Sequence, residues 1–127
     1  MQQPHRRKVM VVEDDAPLRE ILQVLLQEYP HDFVFAENGR HALELDAIHE
    51  PELIMVDLGL PDMSGLELGK ELRRRRGSSR RLIAFTGYDS DDYREQARHA
   101  GFDDFYLKPM ELDAMERTFA KIFAEPV

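Results

Sequence analysis

The sequence predicts a doubly wound α/β domain, on three observations. Short, continuous apolar runs recur along the 127 residues, each the length of a buried strand. Each run is followed by a segment whose apolar residues return at helical spacing, so strand and helix alternate five times. Each strand–helix repeat takes about 20 to 28 residues, too few in total for an eight-stranded barrel. The length fits one domain. A chain of this size buries roughly two-thirds of its unfolded surface, so it needs no disulfide or structural metal to fold.

The elements follow in order. Val9 to Val12 (VMVV) reads as a buried strand. Pro17 suits a first helical turn, and Leu18, Ile21, Leu22 and Leu25 form an amphipathic stripe ending near Tyr29-Pro30. Asp32 to Ala36 (DFVFA) is the second strand, broken by Asn38-Gly39. Ala42, Leu43, Ala47 and Ile48 mark a second helix as far as Pro51. Leu53 to Val56 (LIMV) is the third strand, ending at Asp57, and the loop GLPDMSG after it is rich in turn formers. A third helix runs from about Leu66 through an arginine run to Gly77. Leu82 to Phe85 (LIAF) is the fourth strand, ending at Thr86-Gly87. Tyr93, Ala97 and Ala100 mark a helix stopped by Gly101. Asp104 to Leu107 is the fifth strand, ending at Lys108-Pro109, and Leu112, Met115, Phe119 and Ile122 give the last helix. The expected architecture is a five-stranded parallel sheet in the flavodoxin-like order 2-1-3-4-5, with helices on both faces.

Composition narrows the function. There is no cysteine, which excludes a disulfide scaffold, a thiolate zinc site and a Cys nucleophile. No run approaches 18 apolar residues, and the start up to Lys8 is polar and basic, unlike a secretory signal. A cytoplasmic domain is the expectation. The net charge of −8 argues weakly against nucleic acid as the main partner. It also hides a segregation. Arg6, Arg7, Lys8, Arg73 to Arg76, Arg80 and Arg81 lie in two acid-free stretches, which leaves the remaining 8 bases against all 25 acids.

In open α/β sheets, ligands bind beyond the carboxyl ends of the strands. Those positions here are Glu13-Asp14-Asp15, Asp57, Thr86 and Lys108. Strands one and three are neighbours in the expected order, so Glu13, Asp14 and Asp57 converge. Two carboxylates about 5 Å apart repel by roughly 3 kcal/mol at an effective dielectric near 20. Such a cluster needs a cation or raised pKa values. A hard divalent ion such as Mg2+ suits carboxylates, waters and phosphate oxygens. With the Lys108 ammonium and the Thr86 hydroxyl, these groups make a phosphoryl site. Its aspartate is already ionised at pH 7 and can attack phosphorus to give an acyl phosphate.

The residues VMVVEDDAPLR, MVDLGLPDMSGLEL, AFTGY and GFDDFYLKP resemble the response-regulator receiver domain of two-component signalling, over about residues 8 to 124. The resemblance implies one receiver domain over residues 1–127, with no output domain in this chain. It implies Asp57 as phosphoacceptor and Asp14 as a direct Mg2+ ligand, with Mn2+ as an alternative ion. Glu13 would act mainly through water, and the Gly59 carbonyl would be the third protein ligand. Thr86 would follow the phosphoryl group, and Lys108 would be the family's lysine, aimed by a cis bond to Pro109. Phe105 falls where the family has its switch aromatic, although its ring lacks the hydroxyl of a tyrosine. Gly59 and Tyr88 fall where the family tunes phosphoryl lifetime. The expected partner is a histidine kinase or histidine phosphotransfer protein, and the expected output a change in the face of helix four, strand five and helix five. The chain would be a signalling receiver rather than an enzyme, either a single-domain regulator or the receiver of a hybrid sensor kinase; LGLPDMSG and AFTGY resemble the latter.

Rival readings fare worse. A nucleotide or flavin binder wants a Gly-rich or hydroxyl-rich loop after strand one, and EDDAP would repel phosphate without a metal. A hydrolase wants a second acid or base beside its nucleophile. An unphosphorylated binding module would not need the complete set of Glu13, Asp14, Asp57, Thr86 and Lys108. The arginine run reads as a solvated helix end, with a partner contact as the alternative. Asp15 reads as a cap or surface residue, Met63 and Met110 as loop packing. The five histidines have no metal spacing.

Overall fold

The computed structural model describes residues 6–87 and 90–124. Tyr88 and His5 lie outside the described residues. Among those described, the strands are β1 (Lys8–Val12), β2 (Asp32–Ala36), β3 (Leu53–Asp57), β4 (Arg81–Thr86) and β5 (Asp104–Leu107). The α-helices are α1 (Ala16–Leu26), α2 (Gly39–His49), α3 (Gly65–Arg76), α4 (Asp91–Ala100) and α5 (Leu112–Ala124). All strands are parallel, in the order β2-β1-β3-β4-β5. The expected elements are present, with ends shifted by a few residues. The helix starts are set by caps: the side chains of Asp15, Asn38, Ser64 and Ser90 accept N–H groups of the first turns of α1, α2, α3 and α4.

The central strands β1, β3 and β4 are buried on both faces, which is why they read as unbroken apolar runs, whereas the edge strands β2 and β5 are mostly half-buried. Met10, Val12, Ile54, Val56, Leu82 and Ala84 pack with residues of α2, α3 and α4. Val9, Val11, Leu53, Met55, Ile83 and Phe85 pack with residues of α1 and α5. Gly65 marks where α3 turns back against the end of β3. A Cβ there would lie 2.5 Å from the Leu58 Cα, a backbone atom that cannot yield. Met63 packs on the α2–α3–α4 side as expected. Met110 does not pack and is 83% exposed.

The basic run is only in part the solvated helix end that its composition suggests: Arg74, Arg75 and Arg76 are exposed, whereas Arg80 is buried and Arg73 and Arg81 are half-buried. Arg80 and Asp46 are both 3% exposed, with Nη2 2.6 Å from Oδ1. Arg75 reaches the other Asp46 oxygen at 3.1 Å, and Arg76 reaches Glu50 at 3.0 Å. Arg74 and Arg75 both grip Glu71, which holds its carboxyl down to about 2. Arg73 donates to the carbonyls of Gly101 and Arg80 and to Asp103 at 2.6 Å, and Arg81 pairs with Asp104. The stretch holds no acid of its own; the fold brings acids to it from α2, α3 and the approach to β5.

Candidate functional site

Two adjacent strands deliver the acids. Val12 pairs with Val56, so Glu13 and Asp57 come one residue later on neighbouring strands. The Glu13 N–H donates to the Ala36 carbonyl at 2.9 Å, which prolongs the β1–β2 ladder to the site. Glu13 is buried, Asp14 sits exposed at the rim, and Asp57 is 8% exposed. One carboxylate oxygen from each lies within 4.8 Å of the others, the one such cluster among the described residues. Asp15 stands apart: its side chain caps α1 while its N–H donates to Glu13 Oε2 at 3.1 Å.

Lys108 closes the site from β5. Its N–H donates to the Thr86 carbonyl at 2.6 Å, one residue beyond the β4–β5 ladder. Its Nζ lies 2.7 Å from Asp57 Oδ2 and 2.8 Å from Glu13 Oε1. The expected cis bond to Pro109 is not there: no peptide bond among the described residues is cis. The backbone contact with Thr86 already aims the lysine inward, so a trans bond suffices. Thr86 ends β4, buried, one residue past the Asp57–Phe85 pair. The Gly59 N–H donates to Asp57 Oδ1 at 3.0 Å. Phe105 is half-buried beside α4, edge-on to Tyr93 at 6.2 Å, with the Arg94 guanidinium 4.8 Å over its ring.

The electrostatics call for a cation. Burial pushes Glu13 up to about 7; the Lys108 bond works against that rise and the Asp57 charge adds to it. Burial alone would lower the Lys108 pKa, but its bonds to Asp57 and Glu13 outweigh that, and the ammonium stays charged. Three carboxyl groups face one ammonium, and a divalent ion among them would offset the cost of holding all three as carboxylates. The oxygen donors fit a hard ion of that kind. Glu13, Asp57 and Lys108 also line an apolar cavity of about 40 Å³ with Met55, Phe85 and Met115, which accounts for the poor solvation of Glu13.

The structure thus brings Glu13, Asp14, Asp57 and Lys108 together, with Thr86 alongside. It adds Arg19, which the strand-end reasoning passed over. Arg19 Nη1 donates to the carbonyls of Glu13 at 2.9 Å and Asp14 at 3.2 Å, and so holds the β1–α1 loop in place. The only sequence signal was a base one turn into the helix behind an acidic loop.

Comparison with known proteins identifies the family. The family model for the response regulator receiver domain matches residues 9–120. The chain belongs to the response regulator receiver domain family. This receiver is 32% identical over 108 residues to the response regulator MprA of Mycolicibacterium vanbaalenii, covering 85% of this chain and 46% of that one. It is 31% identical over 112 residues to the 14.6 kDa protein in the sodA1 3' region of Leptolyngbya boryana, covering 87% and 86%. Chemotaxis protein CheY4 of Vibrio cholerae has the same fold, with a TM-score of 0.81 at 22% identity over 93% of this receiver and 99% of that chain. No helix among the described residues is long and apolar enough to cross a membrane.

Proposed function

We propose that this receiver accepts a phosphoryl group on Asp57 from the phosphohistidine of a histidine kinase or histidine phosphotransfer protein. The observation that carries this reading is the placement of Asp57, clustered with Glu13 and Asp14 and with the Lys108 Nζ at 2.7 Å. An Asp57 oxygen forms the new bond to phosphorus as the bond to the imidazole nitrogen breaks and the imidazole leaves. Mg2+, or Mn2+ in its place, held by Glu13, Asp14, Asp57 and the Gly59 carbonyl, would draw charge from the transferred oxygens. Lys108 moves from carboxylate to phosphoryl oxygen as negative charge appears there. The Thr86 hydroxyl follows the phosphoryl group, Phe105 turns inward, and the α4–β5–α5 face changes its population between two shapes. Since Phe105 brings no hydroxyl, its part is steric.

In this reading the chain works in the cytoplasm as a signalling receiver whose only catalysis is its own phosphorylation and dephosphorylation. It serves either as a single-domain regulator or as the receiver of a hybrid sensor kinase. Incubation with acetyl phosphate and Mg2+ is expected to add one phosphoryl group, and Asp57→Asn to abolish it. Labelling of the Asp57→Asn protein to the wild-type extent would overturn the assignment.

A further inference from the structure

The loop between β3 and α3 carries a second attachment that the phosphoryl reading does not use. It leaves the sheet at Asp57 and returns at Gly65, where the Gly65 N–H donates to the Leu58 carbonyl at 3.2 Å. At its far point Asp62 reaches across to the N-terminus of α2. Asp62 Oδ1 accepts the Gly39 N–H and Oδ2 accepts the Arg40 N–H, both at 2.9 Å. The next N–H, of His41, goes to the Asn38 side chain at 2.8 Å. The first N–H groups of a helix have no partner within it. Here the local cap takes one of them and a residue 23 positions along the chain takes two. A carboxylate is the fitting group, because it answers both N–H donors and the positive end of the helix dipole. The Arg40 and Gly39 N–H groups hold the Asp62 carboxyl below the usual range. Met63, the next residue, lies against Gly39, where a Cβ would meet its side chain.

We propose that Asp62 is a positioning residue that clasps the β3–α3 loop to the N-terminus of α2 and so holds the Gly59 carbonyl ready for the metal. This rests on the metal reading given above. Gly59 lies three residues before Asp62. Its N–H is turned to Asp57, and its own exposed position offers little other restraint. Released at Asp62, the loop keeps the packing of Leu58, Leu60 and Met63 but loses its polar tie to α2, and the Gly59 carbonyl between them is held in a wider range of orientations. The coupling is reciprocal: if the clasp favours metal binding, metal favours the clasp by the same factor.

Mn2+ titration followed by the signal of the free ion tests this, using Asp62→Ala, Asp62→Asn and Asn38→Ala. Asn38→Ala removes the local cap of α2 but leaves the loop attached. Asp62→Ala is expected to bind Mn2+ roughly tenfold more weakly, in the range for loss of a partner behind the ligands. Asp62→Asn, which keeps one acceptor oxygen, should fall between, and Asn38→Ala should match wild type within about twofold. In wild type, Mg2+ should slow amide exchange at Gly39 and Arg40. Wild-type Mn2+ affinity in Asp62→Ala, or equal weakening in Asn38→Ala, would overturn the clasp. If Asp62→Ala does not fold, Asp62→Asn and the wild-type amides decide. If wild type binds no Mn2+, the metal reading fails. The clasp is then judged in metal-free protein, where Asp62→Asn must speed Gly59 amide exchange more than Asn38→Ala does.

Discussion

Glu13 is a carboxylate in a place where its charge is costly, between an apolar cavity and a second acid, with Lys108 as the main relief. Its pKa is pushed from 4.5 up to about 7, chiefly by burial. In the unfolded chain the same group ionises near 4.5, so the unfolded state loses its proton first as pH rises. Metal-free protein should therefore lose stability between about pH 4.5 and 7, and Glu13→Gln should flatten that fall. Denaturant unfolding at several pH values checks the sign; equal slopes in the two proteins would contradict it. At this scale the sequence was informative. Glu13, Asp57, Thr86 and Lys108 stand at strand ends, and parallel strands open their carboxyl ends on one edge, so their convergence followed from topology. Arg19 and Asp62 were not legible, because each acts on backbone groups of another segment and neither interrupts a pattern.

At the scale of elements, the arginine run ties α2, α3 and the approach to β5 together at the edge away from the site. Arg80 and Asp46 are separated by 34 residues and are both buried. Such a pair adds little net stability over a well-packed apolar pair, but removing one partner leaves a charge in the interior. Asp46→Ala is expected to cost about 3–5 kcal/mol, far more than Glu50→Ala, whose pair with Arg76 is exposed. Thermal and denaturant unfolding of the two variants makes the comparison; similar small losses would show that Arg80 finds other partners. These pairings engage much of the run within the fold, which weakens the reading of it as a partner contact.

At the scale of the whole molecule, the acidic cluster links folding to metal. An ion that binds only the folded state stabilises it by about 2.7 kcal/mol at a hundred times its Kd. Mg2+ should therefore raise the melting temperature in a concentration-dependent way, and Asp14→Asn should shift that dependence to higher Mg2+; a melting curve blind to Mg2+ would contradict the proposed site. The alternation of apolar runs and helical stripes was sufficient by itself to determine the five βα units, the parallel sheet and the edge on which the acids gather. Those are consequences of periodicity and chain direction, which are local properties. Only the tertiary structure decided that Lys108 bridges Glu13 and Asp57 through a trans bond, that Arg80, Arg73 and Arg81 pair with Asp46, Asp103 and Asp104, and that Asp62 closes on α2. Each of these is a pairing of groups far apart in the chain. A charge or an N–H has many partners of the right kind in the sequence, and only the packing of the elements leaves one within reach.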